Sequence, residues 1–476
     1  MLIKLSKNTY VRTFGPYTYL LDRLNDADRI FTNAEVFMRW IGRTPVDREE
    51  VADRVCSVYV DADADEIKKD FNAFIDRLIA DGLVLAGETG RELEATERFF
   101  SYDAPDPKTT APKKILSKEE VEKTPHIVLG KYLNEHCIPL RLHVDLTQAC
   151  TERCIHCYIP EYNAVFLPYE KVVSVLDEFR ELGGMHVTFS GGECMLHPDF
   201  EKIVRYAQSK DLTVGILSNL TLCDDKMVSL LKEVDATVQV SLYSMDEKVH
   251  DGITKRTGSC KETKAAIERL YRANVPCFIA CPTMKQNVEL YYEVVEYAKT
   301  MNMSVQVDFI IMGKMNCDVS NLPCRVDLCQ AKKILHDLIY EAMPVNSEYF
   351  SLAKSGDLPS KEEWASQPVC SAGVDSLCLD STGVYYPCPG FAGFKLGNCY
   401  KDSLSWVWNE SPEMLRLRAV RGRDFKKCVD CPDLNHCSVC MCRNFNETGN
   451  IFEPVDYFCQ VAKLNHEILD ERLKEV

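Results

Sequence analysis

The sequence predicts an α/β fold: a partial, TIM-like (β/α)6 barrel with a winged-helix-like α+β domain before it and a cysteine-rich domain after it. Three observations carry this. The chain has 476 residues, long enough for two or three domains with cores of their own. Between residues 141 and 312, short apolar runs alternate six times with amphipathic stretches. The 23 cysteines are clustered, ten of them beyond residue 367. An odd number in clusters suits thiolate metal ligation in a reducing compartment better than a secreted disulfide framework.

Composition narrows the function classes. With 46% apolar and 27% charged residues the chain has the make-up of an ordinary globular protein. A net charge of −16 repels phosphate backbones, so a nucleic-acid partner is not expected. Charged and polar residues run through the first fifteen positions with no apolar h-region, and no stretch approaches 18 apolar residues, so the expectation is a cytoplasmic protein with no membrane association. Small-molecule or peptide partners fit better.

Residues 1–90 form the first domain. Strands are expected at 2–5, 10–14 and 17–21, the last two joined by a Gly15-Pro16 turn. Helices are expected at 34–40, 48–59 and 65–83. The last places Ile67, Phe71, Phe74, Ile75, Leu78 and Ile79 on one face and ends near Gly82. Three strands and three helices make a winged-helix-like unit whose exposed strand edge can accept an extended peptide. Residues 91–138 are polar and rich in Pro, Lys and Thr, and read as a linker containing a short helix.

The barrel occupies 139–345, with strands at 141–146, 186–189, 213–217, 237–242, 277–281 and 304–311. Between them, Val172/Val175/Leu176/Phe179, Phe200/Ile203/Val204/Ala207 and Tyr291/Val294/Val295/Ala298 follow helical spacing. Right-handed crossovers then give a parallel sheet, with chemistry on the loops that leave its strands' C-terminal ends. Over 346–476 the repetition dissolves into short strands, glycines and cysteines before a helix at 460–473. With little apolar material for a core, metal ligation is the expected organiser.

The first cysteine constellation is Cys150-x3-Cys154-x2-Cys157, followed by Tyr158, in the loop leaving the first barrel strand. Three thiolates do not complete a tetrahedral zinc site, but they suffice for a four-iron cluster with one iron unclaimed by protein. This spacing resembles the signature of the radical S-adenosylmethionine (SAM) enzymes. The resemblance implies that the amino and carboxylate groups of SAM chelate the open iron, and that reductive cleavage gives a 5′-deoxyadenosyl radical. One β/α unit later, Ser190-Gly191-Gly192-Glu193 is similar to the family's GGE motif, which holds the SAM amino group; Cys194 stands where that family usually has proline. By the same resemblance Ser218 and Asn219, Ser241, Arg256 and Tyr158 are candidate SAM contacts, with Arg256 suited to a forked bond to the carboxylate. His250-Asp251 resembles a structural segment of this fold more than a general base. No catalytic residue is identified.

The C-terminal set resembles a SPASM domain, which houses auxiliary iron–sulfur clusters in peptide maturases. It comprises Cys370, Gly383-x4-Cys388, Cys428-x2-Cys431-x5-Cys437-x2-Cys440 and Cys459. The family's usual run is CxxC-x5-C-x3-C; here Cys440 comes one residue early and Cys442 one late, and either can be the ligand. Family logic assigns Cys428, Cys431, Cys437 and Cys459 to an outer cluster, and Cys370, Cys388 and Cys440 or Cys442 to an inner one. Cys378 is the candidate fourth inner ligand. Without it an iron stays open to a substrate thiolate, which favours thioether chemistry. Cys56, Cys137, Cys223, Cys260, Cys277, Cys281 and Cys399 read as small core residues, and Cys317, Cys324 and Cys329 as packing.

Together the modules resemble a radical SAM/SPASM maturase of ribosomally made peptides, with a leader-binding domain similar to the small chaperone of pyrroloquinoline quinone synthesis. That implies [4Fe-4S] clusters, one SAM-binding and two auxiliary, with SAM as cofactor. The partners it implies are a precursor peptide with a leader and an electron donor such as flavodoxin or ferredoxin. A thioether is the expected product. The alternatives are a carbon–carbon crosslink, a sulfatase-maturing-type oxidase and, from another class, a non-catalytic zinc-stabilised peptide-binding protein.

Overall fold

The computed structural model describes residues 1–24, 27–104, 115–345 and 347–475. The chain divides into two compact units, Met1–Phe100 with Lys123–Tyr132, and Ser101–Glu122 with Leu133–Val476.

Among the described residues the first unit holds six strands: β1 (Leu2–Leu5), β2 (Thr9–Phe14), β3 (Tyr17–Asp22), β4 (Ala27–Thr32), β5 (Val46–Asp47) and β6 (Val84–Gly87). They pair as two antiparallel sheets, β2-β3-β4 and β5-β1-β6. Helices Glu35–Met38, Arg48–Cys56 and Ala64–Ala80 pack beside them. Asp63 caps the longest by accepting from the Asp65 amide, and Phe71, Ile75 and Leu78 on its apolar face join Ile3, Leu20 and Val55 in one core. The sequence pattern finds three of these strands. It misses β4 because Asp28 and Arg29 interrupt the alternation, β5 because it is two residues long, and β6 because its four residues directly follow a helix. The stretch read as a linker with one short helix instead carries Gly90–Ala95, Lys118–Glu122 and Pro125–His136. Thr89 caps the first, and Val121, Leu129 and Leu133 are buried, which a free linker would not allow. The Pro/Lys/Thr-rich residues 105–114 lie outside the described residues.

In the second unit β7 (Arg141–Thr147), β8 (His186–Gly191), β9 (Thr213–Ser218), β10 (Thr237–Ser241), β11 (Cys277–Pro282) and β12 (Val305–Asp308) lie side by side in sequence order, all parallel. The helical stripes read from the sequence fall in Tyr169–Glu181, Phe200–Ser209 and Tyr291–Thr300, buried at every position except the half-buried Val295. The sheet continues past β7. β13 (Ser376–Leu379) pairs with it in parallel, placing Cys378 opposite His143, and β14 (Val384–Tyr386) and β15 (Gly397–Asn398) follow antiparallel. The cysteine-rich region is thus continuous with the barrel sheet, and an open sheet of nine strands carries the site at the C-terminal ends of β7 to β10. No helix among the described residues is long and apolar enough to cross a membrane.

Candidate metal centre and cofactor cradle

The loop after β7 presents Cys150, Cys154 and Cys157. Its path is fixed by backbone bonds from Arg153 to the Thr254 carbonyl (2.8 Å) and from Ile155 to the Ile253 carbonyl (3.0 Å). Donors converge on the sulfurs. The Glu152 amide lies 3.4 Å and Asn219 Nδ2 3.8 Å from Cys150 Sγ, and the Tyr243 hydroxyl lies 3.8 Å from Cys154 Sγ. Burial pushes the Cys150 thiol up to about 12 and raises Cys154 and Cys157, each further raised by charge on its neighbours. Three thiolates therefore coexist here only around a cationic centre, and the donors are of the kind that steady metal-bound sulfur. Zinc does not fit. Its tetrahedron sets sulfurs about 3.8 Å apart, yet among the described residues the one group of three His, Cys or carboxylate donor atoms within 4.8 Å of one another is His143, Asp145 and Cys378. Three thiolates in one loop, with no fourth protein ligand among them, suit an iron–sulfur cluster.

Gly191 and Gly192 serve the cysteine loop directly. Gly191 has φ +126°, and a Cβ on it would lie 2.1 Å from the Thr147 carbonyl oxygen; one on Gly192 would lie 2.3 Å from that of Ala149. The backbone bonds Gly192 N to Thr147 O (2.7 Å) and Glu193 N to Ala149 O (2.8 Å) lock the two strand exits together. The glycines' close approach is therefore made to the chain itself. Glu193 is fully buried and its carboxylate accepts from the Met195 amide (3.0 Å), the Ser218 hydroxyl (2.9 and 3.0 Å) and the Asn219 amide (3.0 Å). Glu193 and Ser218 thus satisfy one another and set the end of β9, so their side chains act on the cradle's shape. Asn219 Nδ2 also bonds Thr151 (2.9 Å) and ties β9 to the cysteine loop. Cys194 is buried and donates to the Leu217 carbonyl, which explains its place after the motif as packing.

The remaining sequence-derived contacts divide. Ser241 ends β10 beside the Tyr243 hydroxyl. Arg256 forms an ion pair with Glu262 (2.8 Å) and stands near Glu152 at the cluster loop. Tyr158 stands between Cys157 of the cluster loop and the C-terminal cysteines. Its ring would contact a Cβ at Gly390 (3.1 Å), and its electrostatic neighbours include Asp145, Cys378 and Cys442. His250 is buried, and its Nδ1 accepts from the Tyr243 amide (3.3 Å). Asp251 accepts from the Gly258 and Cys260 amides and the Ser259 hydroxyl at the start of helix Ser259–Ala273, a structural role for the pair. Two residues escaped the sequence reading, Tyr243 and Glu152. Glu152 is 3% exposed, Oε1 has no hydrogen-bond partner, and burial pushes its carboxyl up to about 7. Its only sequence sign is a charge between two cysteines.

Of the C-terminal cysteines, Cys428, Cys431, Cys437 and Cys459 line one cavity of about 260 Å³ and each is an electrostatic neighbour of the others. Cys388 has Cys442 as its neighbour, and Cys370 has Cys388 and Cys440. Cys378 also counts Cys388 among its electrostatic neighbours. It is 1% exposed on β13, beside His143 and Asp145, whose side chains are 2.9 Å apart on β7. Cys317 is exposed near the Phe445 carbonyl, Cys324 is buried and Cys329 exposed.

The radical SAM superfamily model matches residues 144–298, and the model of the SPASM iron–sulfur cluster-binding domain matches 370–432. The antilisterial bacteriocin subtilosin biosynthesis protein AlbA of Bacillus subtilis (strain 168) is 26% identical over 67% of this chain and 71% of its own. The AdoMet-dependent heme synthase of Methanosarcina barkeri (strain Fusaro / DSM 804) is 25% identical over 66% of this chain and 94% of its own. Streptococcus suis SuiB bound to precursor peptide SuiA superposes with a TM-score of 0.60 at 16% identity, over 96% of this chain and all of that one. The three-cysteine loop at the end of β7 and the donors around it lie within a radical SAM domain over residues 144–298, and the further thiols begin in a SPASM domain matched over 370–432, so the protein is a radical SAM enzyme with [4Fe-4S] clusters and SAM as its cofactors.

Proposed function

We propose that this enzyme modifies a ribosomally made precursor peptide, that its first unit holds the leader segment, and that the product is a thioether crosslink. The carrying observation is coverage. The fold match to SuiB, a chain seen with its precursor peptide, omits fewer residues than the first unit contains, so that unit has a counterpart there. The heme synthase is matched almost whole by two thirds of this chain, and a small-substrate reading gives the remaining third no task. Strand β4 ends its sheet and offers an edge to which an extended leader adds by backbone hydrogen bonds. Tethering the leader raises the effective concentration of the distant target residue at the barrel mouth.

SAM bound at the open iron supplies the hydrogen-abstracting radical. This chain's part is to hold Cys150, Cys154 and Cys157 under the donors of Glu152, Asn219 and Tyr243, to fix the β8 and β9 exits through Glu193, and to keep the cradle dry. A thioether is placed ahead of a carbon–carbon bond because a peptide thiol ionises near neutral pH and is the side chain most readily oxidised beside a carbon radical. An electron donor such as flavodoxin or ferredoxin belongs to the same reading.

The test is anaerobic turnover with SAM, reductant and a cysteine-containing candidate precursor from a neighbouring short reading frame. The expected result is a peptide lighter by two hydrogens, with one thiol no longer alkylatable. Loss of hydrogens with every thiol still alkylatable would favour a carbon–carbon crosslink. Removing residues 1–100 should abolish modification while SAM cleavage continues; undiminished modification would refute the leader-binding role.

A further inference from the structure

We propose that the inner auxiliary cluster is held by four protein thiolates, Cys370, Cys388, Cys440 and Cys442, leaving no iron open to a substrate sulfur. This rests on the SPASM assignment and not on the identity of the peptide.

The geometry begins with helix Met441–Thr448. Cys440 is its N-cap, with Sγ accepting from the Arg443 amide at 3.5 Å, and Cys442 sits in its first turn. Residues 442 and 446 share one face. On that face Asn446 Nδ2 donates to the carbonyls of Gly313 and Gly390, both at 3.0 Å, and Phe445 covers Gly393 so closely that a Cβ there would meet its ring at 2.6 Å. Glu447 anchors the far end by a buried ion pair to Arg325 at 2.6 Å. The helix is thereby pinned against the 388–393 segment, which brings the Cys442 thiol beside Cys388, while Met312 Sδ closes its other side at 3.8 Å.

Cys370 completes the group, with Cys388 and Cys440 as neighbours. Cys440 also reaches the wall of the outer cavity, but Cys428, Cys431, Cys437 and Cys459 already supply four thiols there, so Cys440 is surplus to that set. A helix N-terminus is the favourable place for two thiolates and an anionic cluster, because its free amides and dipole point at them. The two-residue gap and the extra cysteine thus have one explanation: the shortened run brings Cys440 to the cap, and Cys442 supplies the ligand that Cys378 does not. Cys378 also has Cys388 as an electrostatic neighbour, but it is held on β13 by its pairing with β7, with His143 and Asp145 beside it. A saturated inner cluster exchanges electrons and does not bind the peptide's sulfur, so any thiol to be crosslinked is positioned by the protein.

The experiment uses the full chain with Cys150, Cys154 and Cys157 all changed to alanine, so that only the auxiliary clusters load. After anaerobic reconstitution it should hold about eight irons, and the EPR spectrum of the reduced protein should not change with excess 2-mercaptoethanol. Adding Cys442→Ala should either remove about half the iron or give a new spectrum that responds to the thiol; Cys440→Ala should do the same, and Cys378→Ala should change neither iron nor spectrum. A thiol response before any of these additions overturns the proposal, and that measurement stands even if a further variant fails to fold. So does an unchanged spectrum in Cys442→Ala or Cys440→Ala, or lost iron in Cys378→Ala.

Discussion

His250 shows how a residue that tempts as a catalyst is tied to stability instead. It is 1% exposed, its Nδ1 accepts from the Tyr243 amide, Nε2 has no partner, and burial lowers it from 6.5 to about 4. The fold therefore favours the neutral ring. Its contribution is full above the unfolded value near 6.5, declines as pH falls, and is gone below about 4. By pH 5 the loss is about 2 kcal/mol. Thermal melts from pH 7 to 5 should show it, and His250→Asn, which keeps an acceptor for the Tyr243 amide and cannot titrate, should flatten the curve. Parallel curves would dismiss the assignment. At this scale the three cluster cysteines were legible from spacing. Glu152 and Tyr243 were not, because what distinguishes them is a thiol at 3.4 Å and 3.8 Å supplied by folding.

At the scale of elements, strand exits are held by contacts that leave no room. Gly191→Ala places a Cβ 2.1 Å from the Thr147 carbonyl oxygen at a φ that disfavours side chains. It should destabilise the chain by roughly 3 kcal/mol or more and lower iron at the SAM-binding site before it affects the auxiliary clusters. Iron counts and a urea melt check this; full iron with unchanged stability would contradict it. Asp251 caps helix Ser259–Ala273 from a distance, since Gly258 has no side chain to do so. Asp251→Ala should cost about 1 to 2 kcal/mol without changing SAM affinity, measurable by urea melts and SAM titration. The six barrel strands were legible because buried parallel strands read as short apolar runs between helical stripes. The pairing of β13 with β7 was not, because register between segments more than two hundred residues apart is set by packing.

Across the whole molecule, two units share the work proposed for them, one recognising the peptide and one housing the chemistry. The order of modules was readable from composition breaks and cysteine clustering. The inner thiol group proposed above was only partly readable, because Cys370, Cys388, Cys440 and Cys442 lie on the segment before β13, the 388–393 segment and one helix, and spacing along the chain does not encode their meeting. The helices in the stretch read as a linker were hidden by its polar composition, which conceals the few apolar residues they bury. The most direct measurement is release of 5′-deoxyadenosine from SAM by the anaerobically reconstituted, chemically reduced full chain. Release from the unaltered protein, abolished by Cys154→Ala with auxiliary iron retained, is the expected result; none from a protein carrying its full iron would contradict the assignment.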